Sequence, residues 1–189
     1  MPLYDPLSNI HAFDAQVPKW LFSWLTEDVF LTKKLKKLTR DARLEFLGSL
    51  WSRPDWWAQH VLALNCEQVY LREITMYSGS YACWYARTII PAATYYTFSD
   101  IFQRLQHQSL GDILFSESKI KRVSCDFYPI DRQCIEYHWP PNGLVNHQSV
   151  LWLKLSRFLI KGHFDFYLAE LFLPGFELCL KNCGVITGN

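Results

Sequence analysis

The sequence predicts an α+β domain in which helices pack on a single antiparallel sheet. Two pairs of segments with an apolar period of two are each joined by a short Gly-containing turn, as in β-hairpins. Segments with a helical period are segregated from these strands. The chain has 189 residues, of which 50% are hydrophobic. This is enough for a sizeable core, so we expect one domain over residues 1–189.

The first predicted element is helical. Residues 18–38, "PKWLFSWLTEDVFLTKKLKKL", repeat Trp and Leu at helical intervals, and Pro18 suits a first helical turn. The lysines of "KKLKK" are interpreted as the solvated side of this helix rather than as a nucleic-acid or membrane patch. From residue 40 to residue 68 the pattern is unclear, and the proline in "SLWSRPDWWAQH" argues against a continuous helix. No element is predicted there.

Strands dominate the rest of the chain. The segments "VYLREITMY" and "YACWYARTIIP" flank "SGS" as a hairpin, and "KIKRVSCDFYPI" is a further strand. A second hairpin is predicted from "SVLWLKLSRFLI" and "HFDFYLAELFLP", which are separated by "KG". Between the hairpins, "SDIFQRLQH" is predicted to be a helix capped by Ser99, and "SLGDILF" a short helical turn.

Charge and cysteine content restrict the classes of function. The net charge is +1, from 19 basic and 18 acidic residues, so no long-range field attracts nucleic acid or an anionic membrane. The six cysteines form no CxxC pair and no zinc-ligand spacing, and are interpreted as buried or free thiols. The first residues lack the apolar core of a signal peptide, and no segment has the roughly 20 apolar residues of a membrane span. We expect a cytoplasmic, reduced protein without stable membrane insertion.

Two charged side chains lie on strand faces that should be apolar. The period of two places Arg72 on the face of Ile74, and Glu170 on the face of Leu168 and its aromatic neighbours. A buried unpaired charge costs several kcal/mol, so each group needs a partner or a purpose. Either the two pair with each other, or one strand has its other face inward, or they line a cavity whose ligand has an anionic end and a hydroxyl end. Arg suits a carboxylate and Glu suits a hydroxyl or a proton to be removed.

The ordered motifs "YLREITMY", "ARTIIP", "SLGDILF" and "AELFLP" resemble the bacterial chorismate pyruvate-lyase family, from about residue 69 to residue 174. The resemblance implies helical flaps over an antiparallel sheet, an enclosed internal cavity, no metal and no organic cofactor. It implies elimination of pyruvate from chorismate to give 4-hydroxybenzoate, which opens the ubiquinone pathway. It also implies a monomer whose partners are this substrate and this product, with no nucleic acid.

The resemblance also implies roles for individual residues. The carboxylate-binding arginine of the family falls on Arg72 and its hydroxyl-contacting glutamate on Glu170, which together would be catalytic. A backbone contact falls on Leu110, and a methionine of the flap on Leu31. The chain departs from the family at Ala86, where the family has Gly.

The enolpyruvyl carboxylate of chorismate needs a second cation. Arg87 is the first choice among the strand arginines, although a structural ion pair with Glu73 is an equal possibility. Arg122 and Arg157 are expected to be surface charges. The segment 131–149 and the tail after Pro174 are interpreted as surface additions, and the tail could cover the entrance of the site.

An alternative function comes from a different class of protein. The same fold resembles the effector-sensing domains of certain bacterial transcription regulators, which bind small ligands without catalysis. Such domains normally follow a DNA-binding helix-turn-helix module. The residues before the first predicted strand contain no basic recognition helix, so a free-standing enzyme is the preferred reading. A lyase that has lost its activity but kept its pocket is a third possibility.

Overall fold

A computed structural model describes residues 17–27, 31–145 and 150–186. Within these residues, six antiparallel strands form one sheet in the order β1-β2-β3-β6-β5-β4. The strands are β1 (Arg43–Ser52), β2 (Val69–Ser78), β3 (Tyr81–Pro91), β4 (Ile120–Ile130), β5 (Leu151–Ile160) and β6 (Phe164–Phe172). The helices are α1 (Lys19–Thr26), α2 (Leu31–Thr39), α3 (Trp56–His60), α4 (Ala92–Thr97), α5 (Ser99–Phe102), α6 (Leu110–Ser116) and α7 (Pro174–Asn182). Short 3-10 turns cover Gln103–Gln106 and Ile135–His138.

The α+β fold, both hairpins and all the predicted strands are confirmed. The sheet also contains β1, which the sequence did not predict. A bulge between Phe46 and Gly48 breaks the alternation of β1, and most of this edge strand is exposed. The N-terminal helical segment is found as α1 and α2, and residues 28–30 between them lie outside the described residues. Ser99 is the first residue of α5 rather than its cap, and no side chain caps this helix.

Apart from the edge strand β1, the sheet is covered on both faces. The face that carries Arg72, here called the cavity face, packs against α1, α2, α5, α6 and α7 through a core that includes Trp24, Phe102 and Phe176. The opposite face packs against α3 and the segment after β4, in a second core around Trp57. A helical cover on one face therefore leaves room for a site between helices and sheet, while the other face is closed by aromatic packing.

Two segments that the sequence analysis took for surface additions contribute to these cores. In the tail, Phe176 and Leu180 of α7 are fully buried. Gly175 permits the close approach of α7 to β3, because a Cβ there would lie 2.5 Å from the Ala82 carbonyl oxygen. In the segment after β4, the buried Glu136 accepts a hydrogen bond of 2.5 Å from the indole of Trp57. The interpretation of the tail as a surface addition was wrong, whereas in the segment 131–149 Glu136 and Tyr137 are buried although most of its described residues are exposed.

None of the helices in the described part of the chain is long and apolar enough to cross a membrane. Across the same residues, no three His, Cys, Asp or Glu side chains are grouped so that they could hold a metal ion.

Candidate active site

A cavity lies between the cavity face of the sheet and the helices α2 and α6. Its empty volume is about 540 Å³, part of it continuous with solvent. The sheet contributes two arginines, a glutamate and a largely apolar wall, while the cover contributes the first residues of α2 and α6. The residues used below are Leu31, Arg72, Ala86, Leu110, Arg122 and Glu170. The cavity thus combines an apolar lining with a few charged groups, as small-molecule sites do.

Arg72 is a buried cation with unused hydrogen-bonding capacity. Its side chain on β2 is 3% exposed. One terminal nitrogen donates to the Gln108 carbonyl oxygen at 3.3 Å, and Nε has no hydrogen-bond partner among the described residues. Burial lowers the pKa of Arg72, but a guanidinium remains charged at neutral pH. Its remaining donors are suited to binding the two oxygens of a carboxylate.

Glu170 is a buried carboxyl group in the same wall. It lies on β6 between Ala86 of β3 and Lys154 of β5, with which it is paired in register. Burial raises the pKa of Glu170, and the charges of Lys154 and Arg122 oppose this rise. A carboxyl group whose pKa is raised is a stronger base than an ordinary carboxylate, which suits it to accept a proton from a ligand.

Arg72 and Glu170 do not pair with each other. No salt bridge joins them in the described residues. The strands β2 and β6 are separated by β3, so they lie roughly 10 Å apart across the sheet. In addition, Ile74 is the residue of β2 that lies in the cross-strand row of Glu170, and Arg72 is two residues away from it along β2. Both side chains therefore line one cavity from separate positions.

The cover places two backbone segments over this space. Leu31 and Leu110 are the first residues of α2 and α6, and both line the cavity. The start of α6 is held by Ser109, whose hydroxyl accepts from the Asp112 amide at 3.1 Å. As the first residue of a helix, Leu110 has an amide with no intrahelical acceptor.

The geometry does not support Arg87, the first choice for the cation that binds the enolpyruvyl carboxylate. Arg87 lies on the opposite face, is not among the residues lining the cavity, and donates to Glu73 at 2.7 Å and to Asp55 at 3.3 Å. Its guanidinium also lies 4.2 Å from the ring centre of Trp139. These contacts explain its burial, and they give Arg87 a structural role.

Arg122, expected at the surface, lines the cavity instead. Its guanidinium lies 5.5 Å from the ring centre of Phe158, and its charge acts on Glu170. Arg157 pairs with Asp165 at 3.1 Å and is about half exposed, as expected for a surface charge. Lys154, which was not predicted to be a site residue, is fully buried. The signal for Lys154 was a lone charge within the apolar segment "LWLKLSRFLI".

Solved structures with a similar fold are bacterial transcription regulators. A regulator of the GntR family from Bacillus cereus superposes with a TM-score of 0.52 at 12% identity, over 70% of this chain and 92% of that one. PhnF from Mycobacterium smegmatis superposes with a TM-score of 0.53 at 12% identity, over 79% of this chain and 65% of that one. At this identity the likeness shows the fold alone.

Sequence relatives are named as lyases. A probable chorismate pyruvate-lyase of Thiobacillus denitrificans is 26% identical over 166 residues, which cover 87% of each chain. A chorismate pyruvate-lyase of Pectobacterium atrosepticum is 26% identical over 159 residues, which cover 84% of this chain and 79% of that one. The family model described as chorismate lyase matches residues 10–178, most of the chain and all of the strands that form the cavity. The chain belongs to the chorismate lyase family.

Proposed function

We propose that this protein is a chorismate pyruvate-lyase, which eliminates pyruvate from chorismate to give 4-hydroxybenzoate. The observation that carries the proposal is a single cavity with a buried, incompletely hydrogen-bonded arginine and, at a separate position, a buried carboxyl group. Family membership supports it, because the relatives are named for this activity.

The reaction needs positioning more than reactive groups. Chorismate carries a ring carboxylate, a hydroxyl at C4 and an enolpyruvyl ether at C3. The C3–O bond breaks, the enolpyruvate leaves and becomes pyruvate on protonation, and the C4 proton is lost, so the ring becomes aromatic. Because aromatisation drives the reaction, the protein has mainly to hold the dianion and neutralise its charge.

Arg72 binds the ring carboxylate in this proposal. Arg72 lines the cavity, its Nε has no hydrogen-bond partner among the described residues, and a planar guanidinium matches the two carboxylate oxygens. In the same proposal the Leu110 amide adds a backbone hydrogen bond, and Leu31 supplies an apolar contact to the ring. These contacts hold the ring in one orientation.

Glu170 then lies near the C4 hydroxyl and the C4 proton. In its ionised form it accepts a hydrogen bond from the hydroxyl, and its raised pKa suits it to take up the C4 proton as the ring becomes aromatic. Arg122 is the cation that we assign to the enolpyruvyl carboxylate, because it is the arginine besides Arg72 among the residues that line this cavity. It stabilises the charge that develops on the leaving enolpyruvate.

The test is incubation of the purified protein with chorismate in the presence of EDTA, with 4-hydroxybenzoate and pyruvate quantified together. The proposal predicts equal amounts of the two products at a rate proportional to protein concentration. Absence of turnover would contradict it.

A second candidate function is binding of a small aromatic effector without catalysis. The fold likeness to GntR-family regulators favours this alternative. It predicts that 4-hydroxybenzoate binds while chorismate is not consumed, so calorimetry beside the turnover assay distinguishes the two functions.

The setting of the activity is part of the proposal. We assign the protein to ubiquinone synthesis as a cytoplasmic monomer that acts on chorismate without metal or organic cofactor and without nucleic acid. The net charge of +1 agrees with a small-molecule rather than a nucleic-acid partner. Sedimentation analysis at assay concentration tests the monomer.

A further inference from the structure

Lys154 is a fully buried lysine that the proposed reaction does not use directly. It lies on β5 at 0% exposure and is paired in register with Glu170 on β6. The Cβ atoms of directly opposed residues on antiparallel strands lie about 5 Å apart and point to the same face. Lys154 therefore lies beside Glu170 on the cavity face, although it is not among the residues that line the cavity.

The ammonium group of Lys154 is held by the end of a covering helix. It donates to the Trp24 carbonyl oxygen at 3.0 Å and to the Glu27 carbonyl oxygen at 3.4 Å. These carbonyl groups are at the C-terminal end of α1, where the helix leaves acceptors unsatisfied and its dipole is negative. Burying an isolated ammonium would cost several kcal/mol, and the hydrogen bonds to these carbonyl groups offset that cost for Lys154.

This contact connects the cover of the cavity to its wall. Trp24 and Leu25 of α1 are buried in the core of the cavity face. The next described residues after Glu27 are Leu31 and Thr32, which line the cavity. In addition, Lys34 of α2 donates to the Ser23 hydroxyl at 3.0 Å, so α1 and α2 are joined. Helix α1 therefore contacts Lys154 directly and is joined to α2, which lines the cavity.

Two cations among the described residues act on the carboxyl group of Glu170. Lys154 on β5 and Arg122 on β4 act on its carboxyl group, and β3 contributes Ala86 beside it. The residues of the cover that line the cavity, which include Thr32, Ser109 and Leu110, carry no ionisable group. On β4, Phe127 is paired with Lys154, and the thiol of Cys125, which is paired with Ser156, accepts from the Ser156 hydroxyl at 3.7 Å. At the C-terminal end of α1, the carboxylate of Glu27 lies 2.6 Å from the ammonium of Lys34. Removing the ammonium would leave Arg122 as the cation acting on Glu170.

We propose that Lys154, held beside Glu170 by the carbonyl groups at the end of α1, is a positioning residue that keeps Glu170 ionised in the wall of the cavity. The role deepens the proposed function and rests on it. The ligand then meets a carboxylate rather than a neutral carboxyl group.

The experiment compares Lys154→Met, which removes the charge at similar length, with Lys154→Arg, which retains it. Carbon-13 NMR of labelled Glu side chains follows the titration of Glu170, assigned by the loss of its signal in Glu170→Gln. We expect Lys154→Met to move the Glu170 midpoint upward by about one pH unit or more. The acidic limb of the chorismate pH profile, where Glu170 becomes protonated, should move upward with it, and kcat should fall more than KM rises. Lys154→Arg should restore both.

An unmoved Glu170 midpoint in a folded Lys154→Met protein would overturn the proposal. If Lys154→Met fails to fold, the wild-type protein provides the test, because the nitrogen-15 signal of the Lys154 ammonium must then shift at the Glu170 midpoint. A Lys154 signal that does not respond there overturns the proposal as well. The NMR arm needs no turnover, so failure of the wild-type protein to form pyruvate refutes the proposed lyase activity separately.

Discussion

Arg72 is a buried arginine and Arg87 a partly buried one on the neighbouring strand, and we predict opposite effects when each is replaced by methionine. Within the described residues, Arg72 lines the cavity with Nε unpartnered and donates a hydrogen bond of 3.3 Å to a backbone oxygen. Arg87 lies on the opposite face with bonds to Glu73 and Asp55. Arg72→Met should therefore weaken ligand binding with little effect on stability, and Arg87→Met should lower stability with little effect on ligand binding.

The magnitudes follow from these contacts. A carboxylate held by two charge-assisted hydrogen bonds gains at least about 3 kcal/mol, so Arg72→Met should weaken 4-hydroxybenzoate binding by about 100-fold or more. Stability should change by less than about 1 kcal/mol or increase, since an incompletely paired buried charge is removed. Arg87→Met should cost about 2 kcal/mol, less than a fully buried pair, because the Glu73 and Asp55 side chains keep 26% and 50% of their exposure.

Calorimetry with 4-hydroxybenzoate and urea unfolding of both variants and the wild type provide the assay. A loss of 2 kcal/mol corresponds to a fall in Tm of about 4–8 °C for a chain of this size. An Arg72→Met protein that binds 4-hydroxybenzoate normally, or that loses several kcal/mol of stability, would refute the assignment of Arg72 as the carboxylate anchor.

Further predictions concern Glu170, Ala86 and Trp57. Burial raises the pKa of Glu170 above 4.5, so its contribution to stability is present below pH 4.5 and falls as pH rises through the raised value. Glu170→Gln should therefore gain Tm relative to wild type between pH 4 and pH 7, and an equal difference at both pH values in thermal melts would contradict this. Ala86→Val adds two methyl groups inside the cavity and should weaken 4-hydroxybenzoate binding by about 1–3 kcal/mol in calorimetry; unchanged affinity would place the ring elsewhere. Trp57→Phe leaves the buried Glu136 without its 2.5 Å bond and should cost about 1–3 kcal/mol in urea unfolding while binding is retained; an unchanged midpoint would show that the bond does not stabilise the fold.

The sequence predicted those features that depend on local pattern. The strands that form the two hairpins alternate clearly and are separated by short turns, so their pairing and faces could be inferred. The same period placed Arg72 and Glu170 on inward faces, and the structure puts both in the wall of one cavity. A charged residue on an apolar strand face thus indicates a residue that lines the cavity in this chain.

Features that depend on strand irregularities could not be predicted. Simple alternation from Phe127, which shares a row with Lys154, would place Arg122 on the opposite face. A bulge between Arg122 and Ser124 adds one residue and turns Arg122 to the cavity face. Strand β1 was missed for a similar reason, since its bulge interrupts the period that would have revealed it.

The role of Arg87 depended on hairpin register. Its direct pairing with Glu73 follows from an irregularity between Met76 and Tyr77, which "SGS" does not reveal. The burial of α7 could not be predicted from the sequence either, because it depends on a close contact between Gly175 and Ala82, which is far away along the chain.

The most direct test of the central claim is the structure of the protein crystallised with 4-hydroxybenzoate. The account predicts one molecule in the cavity, with its carboxylate on the Arg72 guanidinium and its hydroxyl within hydrogen-bonding distance of Glu170. A product molecule in the reverse orientation, or one bound outside this cavity, would contradict the roles assigned to both residues.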